Sequence, residues 1–177
     1  MDTTGKRYFS YNDIHRTVAG LAREIKASGF DPDVTVAIGT GGFIPARILK
    51  TFLKKPILTV GIKLYNDENQ MSESPEKVQW IDEVERKLRD RKVLLVDEVD
   101  DSRTTLAYCL RELLTHRPAE IGVAVLHCKD KPKRAQLPPE VRRYWVGQHL
   151  PDIWVVYPWD PEDIDRHEEQ AREIGLL

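Results

Sequence analysis

Long apolar runs are missing from this 177-residue chain, and with them any segment able to span a bilayer as a helix. Charge of one sign is also scarce. The 27 Lys and Arg nearly balance the 29 Asp and Glu, leaving a formal net charge of −2. Such a chain has no field strong enough to gather nucleic acid or an acidic membrane surface. The N-terminus is polar and lacks an apolar h-region, so no secretory signal is expected. Cysteine is limited to Cys109 and Cys128, without the spacing of a zinc or redox site. No internal repeat or low-complexity tract is present. A cytoplasmic protein with neither nucleic-acid nor membrane partners is expected. The length fits a single domain, residues 1–177, with a sizeable core.

What is present alternates. Ser10 opens a helix with Asp13 three residues on, a loose capping box. Ile14, Val18, Leu21, Ala22 and Ile25 form its apolar stripe, and Gly29 ends it. Val34–Ile38 reads as a buried strand and Gly39-Thr40-Gly41-Gly42 as the turn after it. Phe43–Leu53 follows as a helix that tolerates Pro45 in its first turn. Ile57–Leu64 is a further strand, and the polar stretch 65–78 reads as a mobile loop. Val93–Asp97 and Ile121–Leu126 are strands flanking a helix near 104–115, whose apolar face includes Cys109. The expected fold class is α/β, a doubly wound, mostly parallel sheet. Residues 128–160 break the pattern with prolines, tryptophans and tyrosines, and read as a small hood lobe. A charged helix follows Pro161.

The most informative run is Val-Leu-Leu-Val-Asp-Glu-Val-Asp-Asp-Ser-Arg-Thr-Thr, residues 93–105. A buried strand leads into four acids within five residues and then a helix start. Ligands of open α/β sheets bind at the carboxyl ends of strands, and free N–H groups at a helix N-terminus hold anions. Carboxylates for hydroxyls or a metal therefore lie beside donors for a phosphate. The same residues also fit an ordinary strand ending in solvated acids.

This run resembles the phosphoribosyl-diphosphate (PRPP) loop of type I phosphoribosyltransferases, which is four apolar residues, two acids, two residues, an acid or small residue, then Thr-Gly-x-Thr. Ser102 stands for the first Thr and Arg103 for the Gly. Arg103 cannot take a positive φ without cost, so the loop must differ locally or carry strain. An outward side chain is expected there, pairing with an acid or with the phosphate edge. The wording around Arg103, and Gly-Gly-Phe-Ile-Pro-Ala-Arg at 41–47, are similar to the fungal-type xanthine/hypoxanthine–guanine enzymes. The resemblance runs from Tyr8 to about Arg166 and extends the expected fold to that of the family.

The resemblance implies roles. Asp97, Glu98, Asp100, Asp101, Ser102, Arg103, Thr104 and Thr105 would bind PRPP and its 5′-phosphate. Asp97 and Glu98 would hold the ribose hydroxyls and support Mg²⁺, the expected cofactor, with Asp160 as a further metal ligand. Asp101 would be the general base near N7 of a purine, or else a plain helix N-cap. Thr40 and Gly41 would bind pyrophosphate, with a cis peptide at Thr40–Gly41 in the family pattern, and Arg166 would assist. Lys129 would donate to O6 of a 6-oxopurine and disfavour adenine, unless 129–133 is a solvated basic loop. Trp154 would stack on the purine, with Val155 and Asp160 at its N1/C2 edge, unless these aromatics are core. Residues 65–78 match the loop that closes over such sites, without its usual Ser-Tyr pair.

The expected activity is transfer of 5-phosphoribose from PRPP to hypoxanthine, guanine or xanthine, giving a nucleoside monophosphate and pyrophosphate. A homodimer or larger homo-oligomer is expected. The alternatives are a phosphoribosyltransferase for another base and a PRPP-sensing regulator without catalysis. No GxGxxG follows the first strand, which leaves a Rossmann dehydrogenase remote.

Overall fold

Strands made of Val, Leu, Ile and Ala with no polar face must be covered on both sides, and that requirement sets this architecture. A computed structural model of the protein describes residues 5–65 and 71–175. In chain order the elements are β1 (Lys6–Tyr8), α1 (Tyr11–Ala27), β2 (Val34–Gly39), α2 (Phe43–Leu53), β3 (Ile57–Tyr65), β4 (Met71–Gln79), α3 (Val84–Leu88), β5 (Lys92–Asp100), α4 (Thr104–Leu114), β6 (Glu120–Lys129), β7 (Arg143–Leu150), β8 (Trp154–Val156) and α5 (Ile164–Gly175). Among the described residues the main sheet runs β4-β3-β2-β5-β6-β7, and β1 pairs with β8 in a separate two-stranded sheet. All pairs in the main sheet are parallel except β3–β4. The expected doubly wound α/β class is the fold observed.

Side chains alternate across β5 as the strand period requires. Leu94 and Val96 face the stripe of α1 and α2, where Ile14, Val18, Leu21, Ile25 and Leu49 are buried. Val93 and Leu95 face Leu106, Cys109, Leu110 and Leu113 of α4. The capping box of α1 is complete: the Asp13 amide donates to Ser10 Oγ, and Asp13 Oδ2 accepts from the Ser10 amide. From β2 the chain winds outward through α2 to β3. From β5 it winds the other way through α4 to β6. The winding reverses between β2 and β5, and a doubly wound sheet opens its ligand crevice at that point.

Three expectations need correction. The loop reading of 65–78 gives way to an edge strand, because β4 pairs antiparallel with β3, Lys77 opposite Ile62 and Glu76 opposite Lys63. An edge strand tolerates its polar residues and Pro75 because one side needs no partner; positions 66–70 of that reading lie outside the described residues. The strand expected to stop at Asp97 continues to Asp100, because β6 keeps pairing it (Asp100 opposite Cys128) after its pairing with β2 has ended at Ala37–Val96. Residues 128–160 do not form one lobe. β7 joins the main sheet beside β6, and β8 alone pairs with β1.

Candidate functional site

At the reversal point lies a cavity of about 320 Å³ lined by Ile38, Gly39, Ile62 and residues 97–106. One wall is the acidic end of β5 and the other is the start of α4. Asp97 is buried, and its Oδ1 accepts the Glu98 amide at 2.9 Å. Burial, reinforced by the neighbouring Glu98 and Asp100 charges, pushes the Asp97 carboxyl well above the usual carboxylate range. Two adjacent carboxylates in a confined place favour a proton or a cation between them.

The turn after β2 closes over this pair. Its non-proline cis bond is Gly39–Thr40, one bond earlier than the family pattern placed it. A methyl group added at Gly41 would run into the Glu98 carboxylate, and one at Gly42 would approach the Ile38 carbonyl to 2.5 Å. Glycine is therefore a packing requirement here, and it brings bare backbone against the acids. Thr40 is exposed beside it.

Arg103 is the N-cap residue of α4 and sits at φ 67°, the left-handed region. The loop keeps the glycine-type backbone without the glycine, at a cost of roughly 1–2 kcal/mol. The guanidinium turns inward and not outward. Nε and Nη2 donate to Asp100 Oδ2 at 2.9 and 2.7 Å, and the group lies 5.4 Å over the Tyr144 ring. Tyr144 donates its hydroxyl to the same oxygen at 2.6 Å. Asp100 is 1% exposed, so its carboxylate holds the loop from beneath instead of facing a ligand. Pairing with an acid was expected; the inward direction was not. Ser102 Oγ and Thr104 Oγ1 link at 3.1 Å above it, and the first N–H groups of α4 have no partner within the helix.

Asp101 is not the N-cap of α4. Lys129 Nζ donates to its Oδ2 at 3.1 Å, and Lys131 Nζ approaches Oδ1 at 2.5 Å while also reaching Asp152 at 3.0 Å. Burial works to raise the Asp101 carboxyl, but hydrogen bonds and charge from Lys131 and Lys129 outweigh it and hold it below its ordinary value. Lys129 is 8% exposed, not a solvated loop residue. The structure thus brings the candidate base and the candidate O6 donor into contact.

The remaining candidates lie farther out. Trp154 is 67% exposed, an open aromatic face, whereas Trp145 packs on Phe30 and Trp159 stacks on Tyr157. Val155 is half-buried, opposite Arg7. Asp160 and Arg166 are exposed and do not line the cavity. Sequence reasoning missed the ties behind the site. Tyr157 donates to the Glu98 carbonyl at 3.1 Å and is met by His127 Nδ1 at 2.9 Å, so the shared hydroxyl assigns the histidine proton to Nδ1. Tyr144 and Lys133 were equally invisible, since their partners are a buried carboxylate and backbone carbonyls.

Cavity and acids fit Mg²⁺ by donor chemistry. The ion takes oxygen ligands, uses one or two carboxylates and keeps waters and substrate oxygens for the rest. Asp97 and Glu98 supply such a pair, and a cation there would relieve their mutual repulsion. Among the described residues no three His, Cys, Asp or Glu side chains gather into a metal site of their own.

Residues 7–165 match the model of the phosphoribosyl transferase domain. The hypoxanthine-guanine phosphoribosyltransferase of Schizosaccharomyces pombe is 44% identical over 201 aligned positions, covering 96% of each chain. Xanthine phosphoribosyltransferase 1 of Saccharomyces cerevisiae is 41% identical, covering 96% of this chain and 97% of its own. The crystal structure of a hypothetical protein from Neisseria gonorrhoeae with bound ppGpp superposes with a TM-score of 0.88 at 46% identity, over 95% of this chain and 96% of that one.

Proposed function

The chain belongs to the phosphoribosyltransferase family, and from that premise we propose a purine-salvage enzyme that transfers 5-phosphoribose from PRPP to N9 of a 6-oxopurine. The products are a nucleoside monophosphate and pyrophosphate. One observation carries the assignment of the site: a single cavity at the reversal of the sheet offers adjacent carboxylates on one wall and a helix start with hydroxyls on the other. A sugar phosphate needs both. The bases are those named for the fungal relatives, hypoxanthine, guanine and xanthine.

In this reading Ser102, Thr104, Thr105 and the α4 N–H groups hold the 5′-phosphate. Asp97 and Glu98 receive the ribose hydroxyls, and Mg²⁺ held there would neutralise charge on the departing pyrophosphate. Thr40 and the bare backbone at Gly41 face the same leaving group. Trp154 offers its face to the purine. Lys129 leaves Asp101 to donate to O6. Asp101, relieved of one cation, becomes the stronger base and takes the proton lost by the purine as N9 attacks C1′ and the bond to pyrophosphate breaks. Asp100 and Arg103 support the loop from below.

The test is incubation of the protein with PRPP, Mg²⁺ and each purine in turn, with the product identified by chromatography. Nucleoside monophosphate is expected from one or more of hypoxanthine, guanine and xanthine, and at most a trace from adenine. PRPP binding without product from any base would support the regulator instead. A second reading concerns the same site. The neighbour at 46% identity carries bound ppGpp, a guanine nucleotide with phosphates, which are the two chemistries this site offers. We propose that ppGpp also binds here and competes with GMP; simultaneous binding of both in a titration would reject that.

A further inference from the structure

Resting on that reading, we propose that Lys133 is a positioning residue of the base pocket, one that fixes the distance between Asp101 and Lys129. Its ammonium donates to the Asp100 carbonyl at 2.7 Å, the Asp101 carbonyl at 2.9 Å and the Lys129 carbonyl at 2.8 Å. An ammonium has three protons, so each finds a backbone acceptor. The side chain is 12% exposed, and the nearest carboxylate, Asp100, stands 3.7 Å away. A cation this buried is tolerated only when its donors are satisfied, and here main-chain carbonyls from two strand ends satisfy them.

Its place in the ladder gives it a role beyond packing. The parallel pairing of β5 with β6 has its last register pair at Asp100–Cys128. Asp101 and Lys129 follow immediately, where no register pair joins the ends of β5 and β6. The Lys133 ammonium supplies the next link. The same segment grips the loop twice more: Lys131 reaches the Asp101 carboxylate, and the Arg134 amide donates to the Ser102 carbonyl at 3.0 Å. Loop 100–102 is thus held to segment 129–134 at its backbone, while the Lys129–Asp101 side-chain pair stays free to part when a purine arrives. Backbone fixity with side-chain freedom is what a base and a substrate reader need when they must separate and still face the same ring.

The test compares Lys133→Met, which keeps length and loses all donors, with Lys133→Arg, which restores donors. Purine turnover by Lys133→Met is expected to fall about ten- to a hundredfold, the scale on which misplaced catalytic groups act. Its PRPP dissociation constant should change less than about threefold, because the 5′-phosphate donors are untouched. Lys133→Arg should recover most of the loss. Equal losses in turnover and PRPP affinity, or no loss in either, would overturn the proposal. A double substitution keeps the result decisive if Lys133→Met is poorly stable, since both arms are measured in the folded fraction at low temperature. Added to Asp101→Asn, Lys133→Met should cost little further turnover; independent, multiplying losses would reject positioning while leaving the base assignment standing. Wild-type turnover by Asp101→Asn alone would instead remove the base assignment itself.

Discussion

Arg103 holds a left-handed backbone that glycine would adopt at no steric cost. It keeps φ at 67° and offsets the cost through Asp100, whose carboxylate is fully buried and accepts from both Arg103 and Tyr144. Two substitutions separate these effects. Arg103→Ala keeps the backbone penalty and leaves a buried carboxylate without its cation, a loss of about 3–5 kcal/mol when a buried pair is broken. Arg103→Gly makes the same break but relieves the left-handed penalty, so it should be more stable than the Ala variant by roughly 1 kcal/mol. Urea unfolding midpoints of the two variants check this order; equal stability would mean the backbone carries no penalty. Lys129→Ala belongs to the same scale. Removal of this proposed O6 donor should weaken purine binding by about 1–3 kcal/mol with PRPP affinity little changed, as parallel titrations of PRPP and GMP would show.

At the scale of elements, the end of β5 and the turn after β2 are fitted to each other. Glu98 occupies the space that a side chain at Gly41 would need. Gly41→Ala should therefore displace Glu98 or the turn at a cost of roughly 1–3 kcal/mol and lower PRPP affinity tenfold or more, measured by titration. The thermal midpoint should fall by roughly several degrees; unchanged PRPP affinity would show that the turn takes no part. Elements were legible in the sequence where burial dictated them. Phe43–Leu53 has the expected bounds, and the capping box at Ser10 starts α1 as read. Elements on the sheet edges were not. β4 is written Met-Ser-Glu-Ser-Pro-Glu-Lys-Val-Gln, with the polarity of a loop, because an edge strand faces solvent. β7 hid among aromatic residues of mixed purpose, Tyr144 for Asp100 and Trp145 for the core. The acids at 97–101 were read as one group, and they line one cavity, but no spacing rule tells a buried support such as Asp100 from its more exposed neighbours. That division depends on Tyr144, 44 residues away.

Over the whole molecule, the winding reversal that makes the crevice was readable from alternating strands and helices. The small sheet was not, since β1 and β8 have three residues each and lie at opposite ends of the chain. Behind them His127 is fully buried between Phe9 and Tyr157. Burial, with Arg7 nearby, lowers its pKa from 6.5 to about 4. The folded protein thus holds this histidine neutral where the unfolded chain would protonate it. Its contribution to stability is complete above pH 6.5 and is lost as pH falls toward 4, about 3 kcal/mol in all. His127→Gln should flatten the stability profile across that window, followed by urea unfolding at successive pH values. An unchanged slope would assign acid sensitivity to other groups.

In the proposed reaction the cavity at the β2–β5 reversal is where transfer occurs, and Asp101 is the base. The most direct test is Asp101→Asn, measured for PRPP affinity by titration and for turnover with the purine that the wild-type protein uses best. Turnover should fall by about 10²–10⁴, the range for a lost general base, while PRPP still binds. Turnover near the wild-type rate would remove Asp101 as the base.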